Sequence, residues 1–306
     1  MSHVVTDQEH MPTVSVIIPT FNRAALVTRA IASVLAQTMS PDEVIVVDDG
    51  STDDTRDVLA QFGNRIRYVF QENQGVAVAR NRGIEAAAGR YTAFLDSDDE
   101  WLPHKLERQV AHLNAHPEID FVTCRDTTDT GKVPVEAFCD PRRPFRKFLI
   151  RPFFSNPSRY LVRRECFENF GVFDPRFPPA EDMEMWLRLL KAGCRFDILP
   201  EPLMIYHVTP GALSSDSVRA FRAESLLRDE YVRTLPHWWD RWMVDSFFTA
   251  RMHLAAARTL RTKGHLAESF SHMLRSFAAN PFAPQTRLRF LWLATFALQL
   301  LRGKTT

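Results

Sequence analysis

No stretch of this 306-residue chain reaches the roughly 20 apolar residues that a helix needs to cross a bilayer. The longest candidate, Phe290 to Leu301, has about 12 and contains Gln299. The four cysteines (Cys124, Cys139, Cys166 and Cys194) lie far apart with no C-x-x-C spacing, so neither a zinc site nor a disulfide framework is indicated. A secretory leader is also missing, and the chain reads as cytoplasmic with reduced thiols. There is no low-complexity segment. The Lys and Arg residues are dispersed and the larger part of the chain is acidic, which argues against nucleic acid as a partner.

What is present is ordinary in bulk. Hydrophobic content of 45% and charged content of 25% suit a globular chain with room for one large or two modest domains. The net charge of +1 hides an asymmetry. From His237 to Thr306 ten Lys or Arg face three Asp or Glu, whereas the remainder is acidic by about six charges. A change of character therefore falls near Pro236.

After a polar tail over 1–12, Val14 to Ile18 is a buried-type strand, broken by Pro19-Thr20-Phe21-Asn22, with Asn22 expected to cap the next helix. Val27, Ala30, Ile31, Val34 and Leu35 then recur at helical spacing. Strands follow at Glu43–Val47, Ile66–Phe70 and Tyr91–Leu95, separated by helices near 53–62 and 76–88. This alternation predicts an α/β, doubly wound, mostly parallel sheet flanked by helices, with ligands held beyond the carboxyl ends of the strands. Further strands are expected at Ile119–Cys124, Tyr160–Val162 and Arg195–Leu199. Helices are expected at Arg163–Phe170 and from Glu181, where Met183, Trp186, Leu187 and Leu190 share a face. Residues 129–156, rich in Pro, Arg and Phe, read as a loop over the site. Beyond Ser215 the pattern is helical, including a pair over 255–260 and 265–279 in the style of tetratricopeptide repeats. The expected division is a tail (1–12), a main domain (13–215) and a helical C-terminal region (216–306).

Three carboxylates occupy four positions at Asp96-Ser97-Asp98-Asp99, directly after a strand. One such cluster could be a solvated loop capping the helix near Pro103. A second carboxylate pair, Asp48-Asp49, sits at another strand tip and strengthens the alternative. In that reading the acids hold Mg²⁺ or Mn²⁺, hard cations that complete their shells with substrate phosphates. The segment 48–52 is either an Asx turn or a carboxylate that accepts from a nucleobase or ribose. Arg80 places a guanidinium suited to a diphosphate near the crevice. Glu181-Asp182 either favour a helix N-terminus through the dipole or, walled by Phe177-Pro178-Pro179-Ala180, supply a general base.

Taken in order, Val14-Ser15-Val16-Ile17-Ile18-Pro19-Thr20-Phe21-Asn22, Val46-Val47-Asp48-Asp49-Gly50-Ser51-Thr52-Asp53, Asn73-Gln74-Gly75 with Ala79-Arg80-Asn81, Leu95-Asp96-Ser97-Asp98-Asp99 and Glu181-Asp182 resemble family 2 glycosyltransferases, inverting nucleotide-sugar enzymes of the GT-A fold. The resemblance covers about 13–215. It implies that Asp49 binds the nucleobase in a pocket lined by Pro19, Thr20 and Asn22, with Arg80 on the donor side. Asp98 would hold the metal directly, Asp96 would contact ribose or a metal-bound water, and Asp182 would deprotonate the acceptor hydroxyl. The partners implied are a nucleotide-sugar donor, UDP-sugars being the commonest, and a glycan or lipid-linked acceptor of cell-envelope or exopolysaccharide synthesis. The family often carries Tyr-Arg-x-His after the last core strand. Here Tyr206-His207-Val208-Thr209 stands instead, with Thr209 at the His position and His207 as a candidate diphosphate contact.

A nucleotidyltransferase should show a Gly-rich loop after the first strand, and Pro19-Thr20-Phe21-Asn22 is not one. A catalytically silent GT-A scaffold or nucleotide-binding protein remains the alternative. The basic C-terminal helices with Trp238, Trp239, Trp242, Phe290, Trp292 and Phe296 suit peripheral contact with an anionic membrane, a packed appendage or a homodimer interface.

Overall fold

The computed structural model describes residues 13–128, 145, 156–207 and 217–281. Thr209, Cys139, the run Phe290–Leu301 and all but Phe145 and Asn156 of the expected loop fall outside them. The described chain forms two compact units, one of 13–128, 156–175 and 188–207, the other of 145, 176–187 and 217–281.

The first unit is built on an eight-stranded sheet in the order β3-β2-β1-β4-β7-β6-β8-β5. Its strands are β1 (Val14–Thr20), β2 (Glu43–Asp48), β3 (Arg67–Phe70), β4 (Tyr91–Phe94), β5 (Glu100–Trp101), β6 (Phe121–Asp126), β7 (Leu161–Arg163) and β8 (Phe196–Ile205). β1 to β4 are mutually parallel, β7 runs antiparallel to both neighbours, and β5 pairs antiparallel with β8. β1 is buried along its whole length, as its unbroken β-branched run requires of a strand covered on both faces. Its polar Ser15 survives there because its hydroxyl donates to the Glu43 carboxylate and accepts from Gly89 N–H.

Helices α1 (Ala24–Leu35), α2 (Thr55–Ala60), α3 (Val76–Ala86), α4 (Lys105–Ala115) and α5 (Arg164–Phe170) cover this sheet. α1 buries Val27, Ala30, Ile31 and Val34, the face its periodicity assigned. α3 packs close on β1 at Gly83, where a Cβ would stand 2.3 Å from Ile17 Cγ2. Asn22 does not cap α1. Arg23 holds the N-cap position, and Asn22, at φ 50°, turns its amide to the neighbouring loop. β8 runs to Ile205, beyond the expected Leu199, despite Pro200 and Pro202. The pairing with β6 shifts register around Arg125, and such irregularities let proline sit within a sheet.

A helix α6 (Glu181–Lys191) contains a unit boundary, between Leu187 and Arg188. The second unit adds α7 (Ser217–Leu227), a π-turn at Arg228–Val232, α8 (Trp238–Thr262) and α9 (Leu266–Ala279). The expected short helix pair is thus a hairpin with one 25-residue arm. A tetratricopeptide pair would need matched short helices. No described helix is long and apolar enough to cross a membrane.

Lys105 is fully buried at the start of α4, its Nζ 4.1 Å from the Trp101 ring centroid and 2.7 Å from Gln109 Oε1. Burial pulls its pKa from 10.5 down to about 8. Between those pH values the unfolded chain binds more protons, so stability should rise with pH there. The gain should be on the order of 2–3 kcal/mol. Urea unfolding at pH 8 and pH 10 should show that rise in the wild type and lose it in Lys105→Met. An equal rise in both proteins would refute the assignment.

Candidate active site

Strands β2, β1 and β4 are neighbours and parallel, so their carboxyl ends open on one edge of the sheet. Those ends carry Asp48-Asp49, Pro19-Thr20 and, just past Phe94, Asp96 to Asp99. The first unit therefore brings together Pro19, Thr20, Asn22, Asp49, Arg80, Asp96 and Asp98, all predicted from sequence.

The β1 and β2 tips are braced together. Asp49 N–H donates to Thr20 carbonyl at 2.9 Å. Asn22 N–H donates to Ser51 Oγ, and Asn22 Oδ1 accepts from Thr52 N–H at 2.7 Å. Thr20 is buried and its hydroxyl has no hydrogen-bond partner within the chain. Asp49 is also buried, and its carboxylate accepts from Gln71 Nε2 and from the N–H groups of Gln74 and Gly75 at 2.7–2.9 Å. A carboxylate has about four acceptor positions, so roughly one remains for a ligand. Asp48 is engaged as well, by Ser51 N–H and Tyr68 hydroxyl.

The three acids of the β4 tip meet different partners. Asp96 pairs with buried Arg80 at 2.7 Å, and the Arg80 guanidinium also stacks 5.3 Å from the Phe173 ring centroid. The structure thus commits Arg80 to Asp96, where the sequence suggested a diphosphate contact. Asp98, near the surface, has its Oδ2 3.8 Å from Arg23 Nη1, while Arg29 Nη2 donates to its carbonyl at 2.7 Å. Asp99 is buried, and its carboxylate accepts from Asn156 Nδ2, Ser158 Oγ and His207 N–H. Burial first, and the charge of Asp96 second, push its pKa up to about 7. Tyr206 lies in the same field: burial and the charges of Asp99, Asp98 and Asp96 all raise its pKa. His207 places Nε2 3.4 Å from Glu100 Oε2.

Sequence reasoning missed Asp99, Ser158, Asn156, Arg23 and Arg29. Ser158 is the pivot, because its Oγ accepts from Asp96 N–H at 3.0 Å while donating to Asp99 at 2.7 Å. It sits in a 3-10 turn (Pro157–Arg159) whose carbonyls are held by Trp101 Nε1 and Gln109 Nε2. Its only sequence signal is Asn156-Pro157-Ser158, a capping pattern in which Asn156 Oδ1 accepts from Ser158 N–H.

Asp182 belongs to the second unit and is described by its own surroundings. It lies in the first turn of α6, half-buried, with Oδ1 accepting from Met183 N–H at 2.6 Å. Its neighbours Glu181 and Glu184 are buried, Glu184 accepting from Tyr231 hydroxyl at 2.6 Å.

Among the described residues no cluster of three or more His, Cys, Asp or Glu side chains is arranged to hold a metal. The donor set fits Mg²⁺ or Mn²⁺ nonetheless, since these ions take one or two carboxylates and draw the rest of their shell from water and phosphate. Asp98 and Asp96 retain 21% and 26% side-chain exposure, enough to admit such a ligand.

Comparison with known proteins adds independent findings. The family model described as glycosyl transferase family 2 matches residues 15–168. A putative teichuronic acid biosynthesis glycosyltransferase, TuaG, of Bacillus subtilis is 34% identical over 214 residues, covering 68% of this chain and 84% of its own. An uncharacterized glycosyltransferase of Nostoc is 52% identical over 101 residues, about a third of each chain (32% and 31%). Among solved structures, the mannosyltransferase PcManGT of Pyrobaculum calidifontis with GDP-Man and Mn²⁺ is similar with a TM-score of 0.62 at 22% identity, covering 95% of this chain and 81% of that one. Residues 1–349 of S. aureus TarS with UDP-GlcNAc give a TM-score of 0.62 at 19% identity, over 88% and 82% of the chains. The fold is accordingly the expected GT-A architecture followed by helices.

Ser158→Ala removes a buried hydroxyl with two partners and leaves Asp99 with one donor fewer. It should cost about 1–3 kcal/mol in urea unfolding. A change below about 0.5 kcal/mol, the size typical of surface substitutions, would show that this hydroxyl does not hold the turn.

Proposed function

The chain belongs to glycosyl transferase family 2, and from that premise we propose that this glycosyltransferase is an inverting, metal-dependent enzyme of cell-envelope or exopolysaccharide synthesis. It would move a sugar from a nucleoside-diphosphate donor to a hydroxyl of a glycan or lipid-linked acceptor. The observation that carries this reading is the adjacency of the β2, β1 and β4 tips, two of them bearing paired carboxylates.

In this reading the nucleobase lies over Pro19 and Thr20 and uses the remaining acceptor position of Asp49. Asn22 keeps that floor rigid by tying the β1 and β2 loops together. Asp96, oriented by Arg80, faces the ribose. Asp98, with Asp96, would hold Mg²⁺ or Mn²⁺, which supplies charge compensation for the departing diphosphate. Asp182 accepts the acceptor's hydroxyl proton, and attack opposite the leaving group inverts the anomeric centre. Fixing donor and acceptor in line lowers the entropic part of the barrier. The similarity to TuaG supports an envelope polymer, and UDP is the favoured donor nucleotide.

Asp98→Ala should lower metal-dependent release of nucleoside diphosphate at least a hundredfold, read by coupled assay on a panel of nucleotide sugars. Asp182→Asn should retain donor binding and lose sugar transfer to a comparable degree. Release of diphosphate by no donor in the wild type would favour the silent scaffold. Product of retained configuration by NMR would exclude the single displacement.

Peripheral contact with the membrane that carries a lipid-linked acceptor belongs to the same proposal. Trp238, Trp239 and Trp242 are 69%, 53% and 60% exposed at the start of α8, and their rings touch one another. Tryptophan favours the membrane interface, where an apolar ring and a polar N–H are both accommodated. The full chain should co-sediment with vesicles containing phosphatidylglycerol, and the triple Ala variant should bind at least tenfold more weakly. Absence of binding, with a dimer in light scattering, would favour the homodimer instead.

A further inference from the structure

Arg23 occupies a position where a cation is out of place. It is the N-cap of α1, a site that favours Ser, Thr, Asp or Asn and faces the positive end of the helix dipole. Its side chain makes no capping bond. Instead its guanidinium points to the β4 tip, with Nη1 3.8 Å from Asp98 Oδ2, and both side chains are about three-quarters buried (24% and 21% exposed).

Neither backbone is free to follow a moving side chain. Arg23 N–H donates to Thr55 Oγ1 at 3.2 Å, and its carbonyl accepts from Leu26 and Val27 N–H at 2.9 Å. At the other side, Arg29 Nη2 fixes the Asp98 carbonyl. Arg29 Nε also lies 3.6 Å from Glu100 Oε2. The pair can therefore separate by side-chain rotation alone. At 3.8 Å it is a charge pair beyond hydrogen-bond length, unlike the 2.7 Å Arg80–Asp96 contact beside it. One acid of the turn is thus locked to its arginine, and the other is loosely neutralised.

We propose that Arg23 is the resident counter-ion of Asp98, which yields the carboxylate to an incoming divalent cation and then binds the donor's diphosphate. The proposal rests on the reading of Asp98 as the cation ligand. Before the donor arrives, Arg23 competes with the cation for one carboxylate and holds the affinity for metal alone low. Once the cation occupies Asp98, the displaced guanidinium stands beside the phosphates that complete the metal's shell. Its planar donor pair suits phosphate oxygens better than an ammonium would. Cation and nucleotide then bind tightly only together, because each relieves what the other leaves unpaired.

The test separates this role from a structural one by opposite signs. In Arg23→Gln, Mn²⁺ alone, followed by the electron paramagnetic resonance signal of the free ion, should bind 3- to 10-fold more tightly than in the wild type. UDP and GDP, titrated calorimetrically at saturating Mn²⁺, should bind at least tenfold more weakly. Arg23→Lys should restore the weak Mn²⁺ binding and only part of the nucleotide affinity. If Arg23→Gln binds Mn²⁺ as the wild type does or more weakly, or keeps wild-type nucleotide affinity, the proposal is overturned. Asp98→Asn tells this failure from that of the underlying reading. Unchanged Mn²⁺ affinity in Asp98→Asn removes Asp98 as the ligand, whereas lost affinity there with no gain in Arg23→Gln removes only the role of Arg23.

Discussion

Three carboxylates within four residues must be kept from repelling one another at the end of β4, and much of the first unit is arranged around that requirement. Burying an unpaired carboxylate costs several kcal/mol, so each acid needs its own compensation. Asp96 receives it from Arg80 on α3, Asp98 from Arg23 at the head of α1, and Asp99 from Ser158, Asn156 and the His207 backbone. These partners lie 16, 75 and about 60 to 108 residues away in the chain. A turn of nine atoms' reach thus draws on every layer of the fold.

The compensation is graded, and the grading orders the roles. Asp99 is the most deeply buried and is held near neutrality rather than in the usual carboxylate range. Asp96 is charged beside a buried guanidinium that hydrogen-bonds it directly. Asp98 has the loosest partner. Of the three it is the acid whose charge is cheapest to redirect toward a ligand, which is the property a cation site needs.

The half of this that sequence revealed is the half written in local pattern. Alternating apolar runs and helical spacing gave β1 to β4 and α1 to α3, because each run is long enough for its period to be unambiguous. The strand tips followed at once, and with them Thr20, Asp49, Asp96 and Asp98. Ser158 and Asn156 could not be found that way, since a 3-10 turn of three residues has no period and its partners are some 60 positions distant. β8 was cut short on paper by two prolines that a register shift absorbs. Asn22 looked like a cap because its residue type is right; only the φ of 50° turns its amide away from α1 and onto Thr52. Arg23, the residue that does stand at the cap, has the wrong chemistry for one, and such local inconsistencies tend to mark functional positions.

Rigidity at the base pocket follows from the same arrangement. Asn22 accepts a positive φ that asparagine tolerates better than most residues, and in return its amide accepts from Thr52 N–H while its own N–H reaches Ser51. Asp49 N–H reaches across to Thr20, and the Asp49 carboxylate gathers the Gln74 and Gly75 N–H groups that open α3. Gly50, at φ 82°, is needed where a Cβ would come within 2.7 Å of Asn73 N. The loops after β1, β2 and β3 are therefore one cross-linked surface. A ligand meeting that surface finds its donors and acceptors already oriented, so little conformational entropy remains to be lost when it binds. The sheet supplies position and the cross-links supply stiffness, while the single loosely held pair, Arg23 with Asp98, lies at the edge where charge must be exchanged.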